Sequence, residues 1–171
     1  MAEPLSEAIL SKIHEQIERT DHLVGILSPE QLNWTPEMAG AWSTAMILGH
    51  ILDCLGGICA VLMAVHPGQL AYFHRLREMP VNGPHSVRET QDGLVLFQKH
   101  IDEGFALLKD GDLAKTIPTA FVATGELVLT LLLGNLEHLI NHKHQLFMYL
   151  KFMGASVASR DLYHFRGEIR L

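Results

Sequence analysis

Apolar residues recur at helical spacing along four stretches of the chain, and no segment reads as a strand. The first stretch runs from about Leu5 to Leu27, with Ile9, Ile13, Ile17, Leu23, Ile26 and Leu27 on its stripe. Ser28-Pro29-Glu30-Gln31 then has the form of a capping box with proline at the first helical position, and Trp34-Thr35-Pro36 limits it to one short turn. The second helix is predicted from near Ser43 to about Val65. Beyond its first turn its only strongly polar side chains are His50 and Asp53, so it should be buried nearly all round. His66-Pro67-Gly68 stops it. Ser86-Val87-Arg88-Glu89 is a second capping box and opens a third helix that reaches about Lys109. The fourth is predicted from about Thr124 to Met153, with Gly154 as its C-terminal cap. The tail, Ala155 to Leu171, carries Leu162, Tyr163 and Phe165 and should pack on the helices.

Four such helices in a chain of this length imply one all-α domain over 1–171, a four-helix bundle. The connection between the second and third helices spans roughly 20 residues, against a usual ~2–8 for antiparallel neighbours. That length allows a crossover in which the two helices run parallel. There is no internal repeat and no low-complexity segment.

Composition narrows the function. Hydrophobic residues make up 48% of the chain against 19% charged, enough for a substantial core. The formal net charge is −6 and Lys and Arg are not clustered, which argues against nucleic acid as a partner. The start, Met1-Ala2-Glu3-Pro4, lacks the pattern of a secretory signal. The apolar stretch Leu127 to Leu136 is too short for a bilayer, so no membrane partner is expected. Cys54 and Cys59 fall within the second helix and read as free thiols in a reducing compartment. The expectation is a cytoplasmic protein.

The candidate chemistry is in the histidines. His138 and His142 are four apart in Glu137-His138-Leu139-Ile140-Asn141-His142-Lys143-His144-Gln145, one turn apart on one helical face. With 11 histidines in 171 residues, chance alone supplies on the order of one such pair, so the surroundings carry the argument. That face also bears Leu131, Gly134, Gln145 and Tyr149, while Glu137, Asn141 and His144 turn away. Gly134 suggests a close backbone approach, and Gln145 and Tyr149 are placed to orient a ligand. His50 on the second helix is the natural third donor, with Asp53 one turn on as an acceptor for a ligand N–H and Cys54 as a softer fourth ligand. Three nitrogens with positions left for water or substrate is a catalytic rather than a structural layout. The plain alternatives are a core histidine bonded to backbone, a solvated surface pair, and a thiol that merely fills space. The zinc-protease helix, a Gly-rich phosphate loop, a nucleophile elbow, a CxxC pair and a Glu-x-x-His di-iron pattern are all missing.

Three segments together resemble the DinB/YfiT-like family of bacterial four-helix bundles, regarded as metal-dependent enzymes. They are Leu27 to Trp34 with Trp42-Ser43 and Ile47-Leu48-Gly49-His50-Ile51; His138 to Leu146; and Tyr149 to Gly154 with Asp161-Leu162-Tyr163. The resemblance implies a metal held by His50, His138 and His142, and parallel second and third helices. One departure is His142-Lys143-His144-Gln145, where the family often has His-Arg-Gly-Gln. The resemblance also implies a divalent ion, with zinc or nickel favoured, and chemistry on a small electrophilic molecule. That chemistry is either transfer of a low-molecular-weight thiol or hydrolysis. Tyr72, Phe73, Arg75 and Arg77 on the long connection form a candidate rim for an anionic cosubstrate, the alternative being an ordinary surface loop. The competing reading is a non-enzymatic helical module that binds metal or forms a homodimer through its apolar helices.

Overall fold

A computed structural model of the chain describes residues 4–119 and 122–163. Its long helices are α1 (Leu5–Val24), α2 (Thr44–Val65), α4 (Val87–Phe105) and α5 (Val128–Phe152), with a single-turn helix α3 (His74–Arg77) in the long connection. The predicted starts hold at the caps. Ser43 Oγ accepts from the Met46 amide, and Ser86 exchanges hydrogen bonds with Glu89 in a complete capping box. Gly154, at φ 79°, closes α5 with its amide bonded to the Lys151 carbonyl.

Three boundaries differ from expectation, each for a local reason. α1 stops at Val24 rather than Leu27 because the Ile26 and Leu27 amides tighten onto the carbonyls of Leu23 and Val24 ahead of Pro29. The third long helix ends at Phe105 rather than Lys109 by the same tightening at Leu107 and Leu108. α5 begins at Val128 rather than Thr124, since Glu126–Leu127 (β2) pairs antiparallel with Thr116–Ile117 (β1). This small ladder overturns the expectation of no strand. Gly125, at φ 82°, makes the turn into it, where a β-carbon would press on the Ile117 carbonyl.

The direction of the helices follows from which residues meet. Gly93 lies against Leu52, Phe97 against Gly56 and Gly104 against Leu62, so residue numbers rise together and α2 and α4 are parallel. The predicted crossover is therefore present. Asn135 lies on Gly57, His138 meets His50, and Tyr149 reaches Trp42, so α5 runs antiparallel to α2. α1 packs mainly on α4 and α5, as does α2, which puts α1 and α2 at opposite corners. One continuous core joins the four, with Ile13, Leu23, Leu55, Phe97, Leu132 and Leu150 fully or almost fully buried.

α2 is the most apolar helix and would be long enough to cross a membrane by length and composition. However, 61% of that window is buried against the other helices. The tail packs as expected through Ser159–Tyr163: Asp161 bonds His22 on α1 and Lys143 Nζ donates to the Leu162 carbonyl. Phe165 lies outside the described residues.

Candidate metal centre

The seam between α2 and α5 brings His50, Cys54, His138 and His142 together, with one potential ligand atom from each lying within 4.8 Å of all the others. No other cluster of three or more such groups occurs among the described residues. Helical geometry supplies the two pairs, His50 with Cys54 and His138 with His142, each one turn apart. The antiparallel packing of α5 on α2 makes the pairs meet.

Each of two imidazoles is turned by a neutral amide. His50 Nδ1 lies 3.0 Å from Asn82 Oδ1, and His142 Nδ1 lies 2.9 Å from Gln145 Oε1. An amide oxygen only accepts, so both contacts put the proton on Nδ1 and leave the Nε2 lone pair free. Gln145 is fixed in turn, because its Nε2 donates to the Tyr149 hydroxyl, which donates to the Trp42 carbonyl. Trp42 closes the cluster, its ring edge-on to His50 at 4.7 Å and stacked on His142 at 6.2 Å.

The Nε2 atoms of His50 and His138 face each other at 3.2 Å. Two lone pairs at that distance repel unless a proton or a cation lies between them. Tetrahedral nitrogen ligands at about 2.0–2.1 Å from an ion stand about 3.4 Å apart, so the spacing suits joint ligation. Burial holds both His138 and His142 below the usual histidine value. The neighbouring His50 adds to this for His138, while the Gln145 hydrogen bond opposes it for His142. Neutral imidazoles are the form a metal needs. Burial, helped by the Asp53 carboxylate, pushes the Cys54 thiol up to about 12, so the sulfur becomes a strong ligand only beside a cation. The cluster could hold a metal ion, and its three nitrogens and one soft sulfur suit zinc as well as later first-row metals.

The sequence-level site residues have the following positions. His50, His138, His142 and Cys54 converge, and Gln145 and Tyr149 line the path that orients His142. Asp53 stands 3.8 Å from His50 Nδ1, and the hydrogen bond goes instead to Asn82. Asn82, on the crossover, escaped sequence reasoning: Val81-Asn82-Gly83-Pro84 reads as a turn, and nothing local says what it faces. Gly134 meets open space rather than a neighbouring backbone. The close approach is at Gly49, where the carbonyls of Val81 and Gly83 lie directly on α2 and leave no room for a methyl group. Phe73, expected at a rim, is 1% exposed, and Tyr72 donates to Glu103 on α4. Arg75 is exposed, and the side chain of Arg77 lies outside the described residues.

A bundle with parallel second and third long helices and an open histidine cluster between α2 and α5 defines a class of helical proteins built around a candidate metal site. The chain belongs to the DinB superfamily, whose family model matches residues 12–146. Among curated proteins no sequence matches it. Its fold is similar to the crystal structure of a DinB-like protein from Bacillus subtilis, with a TM-score of 0.66 at 19% identity over 88% of this chain and 94% of the other. It is likewise similar to a DinB-like protein from Bacillus cereus, with a TM-score of 0.68 at 17% identity over 93% of this chain and 99% of the other. At these identities the likeness establishes the fold alone.

Proposed function

We propose that this chain is a metal-dependent enzyme in which His50, His138 and His142 ligate a divalent ion, zinc or nickel, and act on a small electrophilic molecule by thiol transfer or hydrolysis. The observation that carries this reading is the convergence of the imidazoles while Asn82 and Gln145 hold two of them by Nδ1. Hydrogen bonds of that kind fix the tautomer a metal ligand needs and leave Nε2 to face the common point. The cluster is also open on two sides. A cavity of about 300 Å³ begins at Cys54 and His138, and a shallower one of about 280 Å³ lies against Trp42, His142 and Gln145. A closed structural site offers no such access.

A divalent ion bound there would acidify a coordinated thiol or water at neutral pH. The chain's own residues divide the remaining work. Asn82, Gln145 and Tyr149 set the imidazole orientations, Trp42 packs against the rings of His50 and His142, and Cys54 would offer a fourth ligand. Two openings onto one centre favour a reaction of two molecules, and thus transfer of a low-molecular-weight thiol over hydrolysis. The two free, buried cysteines support a reducing compartment, the cytoplasm.

The test is metal content of untagged protein, wild type and His50→Ala, His138→Ala and His142→Ala. Near-stoichiometric metal in the wild type, reduced more than about 100-fold in affinity by each substitution, is expected. A wild type that takes up neither zinc nor nickel would remove the metalloenzyme reading.

A further inference from the structure

The cavity beyond His138 has a polarity that says what fills it. One wall is the face of α2 that carries Asp53, Gly57 and Ala60. Opposite it is the crossover, through Phe73, Leu76 and Val81, and Asn135 of α5 completes the enclosure. The crossover side is firm, since Phe73, Leu76 and Val81 are 1%, 8% and 8% exposed and belong to the core.

The polar side offers acceptors. The Asp53 carboxylate is 3.8 Å from His50 Nδ1, beyond hydrogen-bond reach, and the proton there is already directed to Asn82. Asn135 donates its Nδ2–H to the Leu131 carbonyl at 2.8 Å, which turns its Oδ1 onto Gly57. Gly57 is one turn from Asp53 on α2, so the carboxylate and the amide oxygen share one stretch of wall. Among the described residues no lysine or arginine lines this cavity. Arg75, the side chain expected to receive an anion, is exposed and stands outside the lining.

We propose that this cavity is the substrate seat of the metal centre and takes a small organic amine. Its ammonium group is held by Asp53 and the Asn135 amide oxygen, and its apolar body rests on Phe73, Leu76 and Val81. The identity of the reacting end rests on the metal-centre reading, but the selection for an amine rests on the cavity alone. In the metal-free protein a carboxylate of the same shape is disfavoured, because it would meet Asp53 with no lysine or arginine among the described lining residues to separate the two charges. An alcohol of the same shape fits but forgoes the ion pair.

The experiment titrates 2-phenylethylamine, 2-phenylethanol and phenylacetate separately into chelator-stripped and zinc-loaded protein. Binding is read from the methyl resonances of Ala60 and Met63. In the stripped protein the amine is expected to bind at least about tenfold more tightly than the alcohol, and the carboxylate more weakly still. Asp53→Asn should reduce the amine to the affinity of the alcohol, and Ala60→Phe, which fills the cavity, should abolish binding of both. Equal affinities for the three probes, or a preference for the amine that survives Asp53→Asn, would overturn the proposal. Because stripped protein is used alongside, amine binding without zinc uptake sinks only the metal reading. Zinc uptake with no amine selectivity sinks only this one.

Discussion

Two seams of the bundle carry histidines, and only one gathers them. Between α1 and α4, His14 Nε2 is bonded to Asp102 Oδ1 at 2.5 Å, and Asp21 accepts from Gln91 at 2.9 Å. The cavity beside them, about 430 Å³, is larger than the one of about 300 Å³ beyond His138. Between α2 and α5 the hydrogen bonds of His50 and His142 point outward, to Asn82 and Gln145, and the free nitrogens point inward to one another. In the first seam His14 is answered by Asp102 and Asp21 by Gln91. The second leaves three donors facing a common point. The comparison teaches that neither a histidine nor a cavity marks the site; convergent lone pairs held by neutral partners do.

The strongest way to break this contrast is to disturb the crossover that delivers Asn82. Gly49→Ala forces the Val81 and Gly83 carbonyls off α2, and the expected cost is about 3 kcal/mol of stability in urea melts. Metal affinity should fall with it, because Asn82 leaves His50. A wild-type melt for this variant would mean that the crossover is not seated as described.

Asn82 itself separates orientation from packing. Asn82→Leu is expected to weaken zinc binding about 10- to 100-fold by competition with a chelator, whereas Asn82→Asp, which keeps an acceptor, retains it. Equal losses in both would leave Asn82 a merely structural contact. His14→Ala, at the other seam, should leave zinc affinity unchanged.

Lys143 sharpens the contrast from a third side, since it follows His142 in sequence yet points into the α1–α5 seam, where Nζ donates to Gln16 at 2.8 Å. Burial, with the Arg19 charge nearby, lowers its pKa from 10.5 to about 8. Between those two values the unfolded chain holds a proton that the folded chain lacks, so stability should rise with pH across that window. The gain expected is on the order of 1 kcal/mol, and Lys143→Met should flatten it. Melts at both ends of the window that show the same rise in the variant would assign it to another group.

The smallest effect is expected at Gly134, which the structure places in open space on α5. Gly134→Ala should stabilise the helix by about 0.5–1 kcal/mol without touching metal affinity. Loss of stability would restore the close approach that its position beside His138 had suggested.

Much of this was legible in advance. The caps at Ser43, Ser86 and Gly154, the stripes of α1 and α4, and the nearly unbroken apolar face of α2 are local signals, carried by residues within a turn or two of each other. The pairing of His138 with His142 is equally local. The strand pair at Thr116 and Leu127 was not, because two residues give no periodicity to read. Nor was Gly49 recognisable as the tight position, since a glycine in a helix announces the same possibility wherever it falls.

Helix propensity and the 3.6-residue repeat are enough to form four helices, to bury α2 and to set two imidazoles on one face of α5. Joining His50 to that pair required the antiparallel docking of α5 on α2. Choosing Asn82 over Asp53 as its partner required the crossover to lie on Gly49. Such contacts link residues 32 and 88 positions apart. Local spacing has no purchase on them, and only the packed tertiary structure, through its close approaches, sets which donor meets which acceptor.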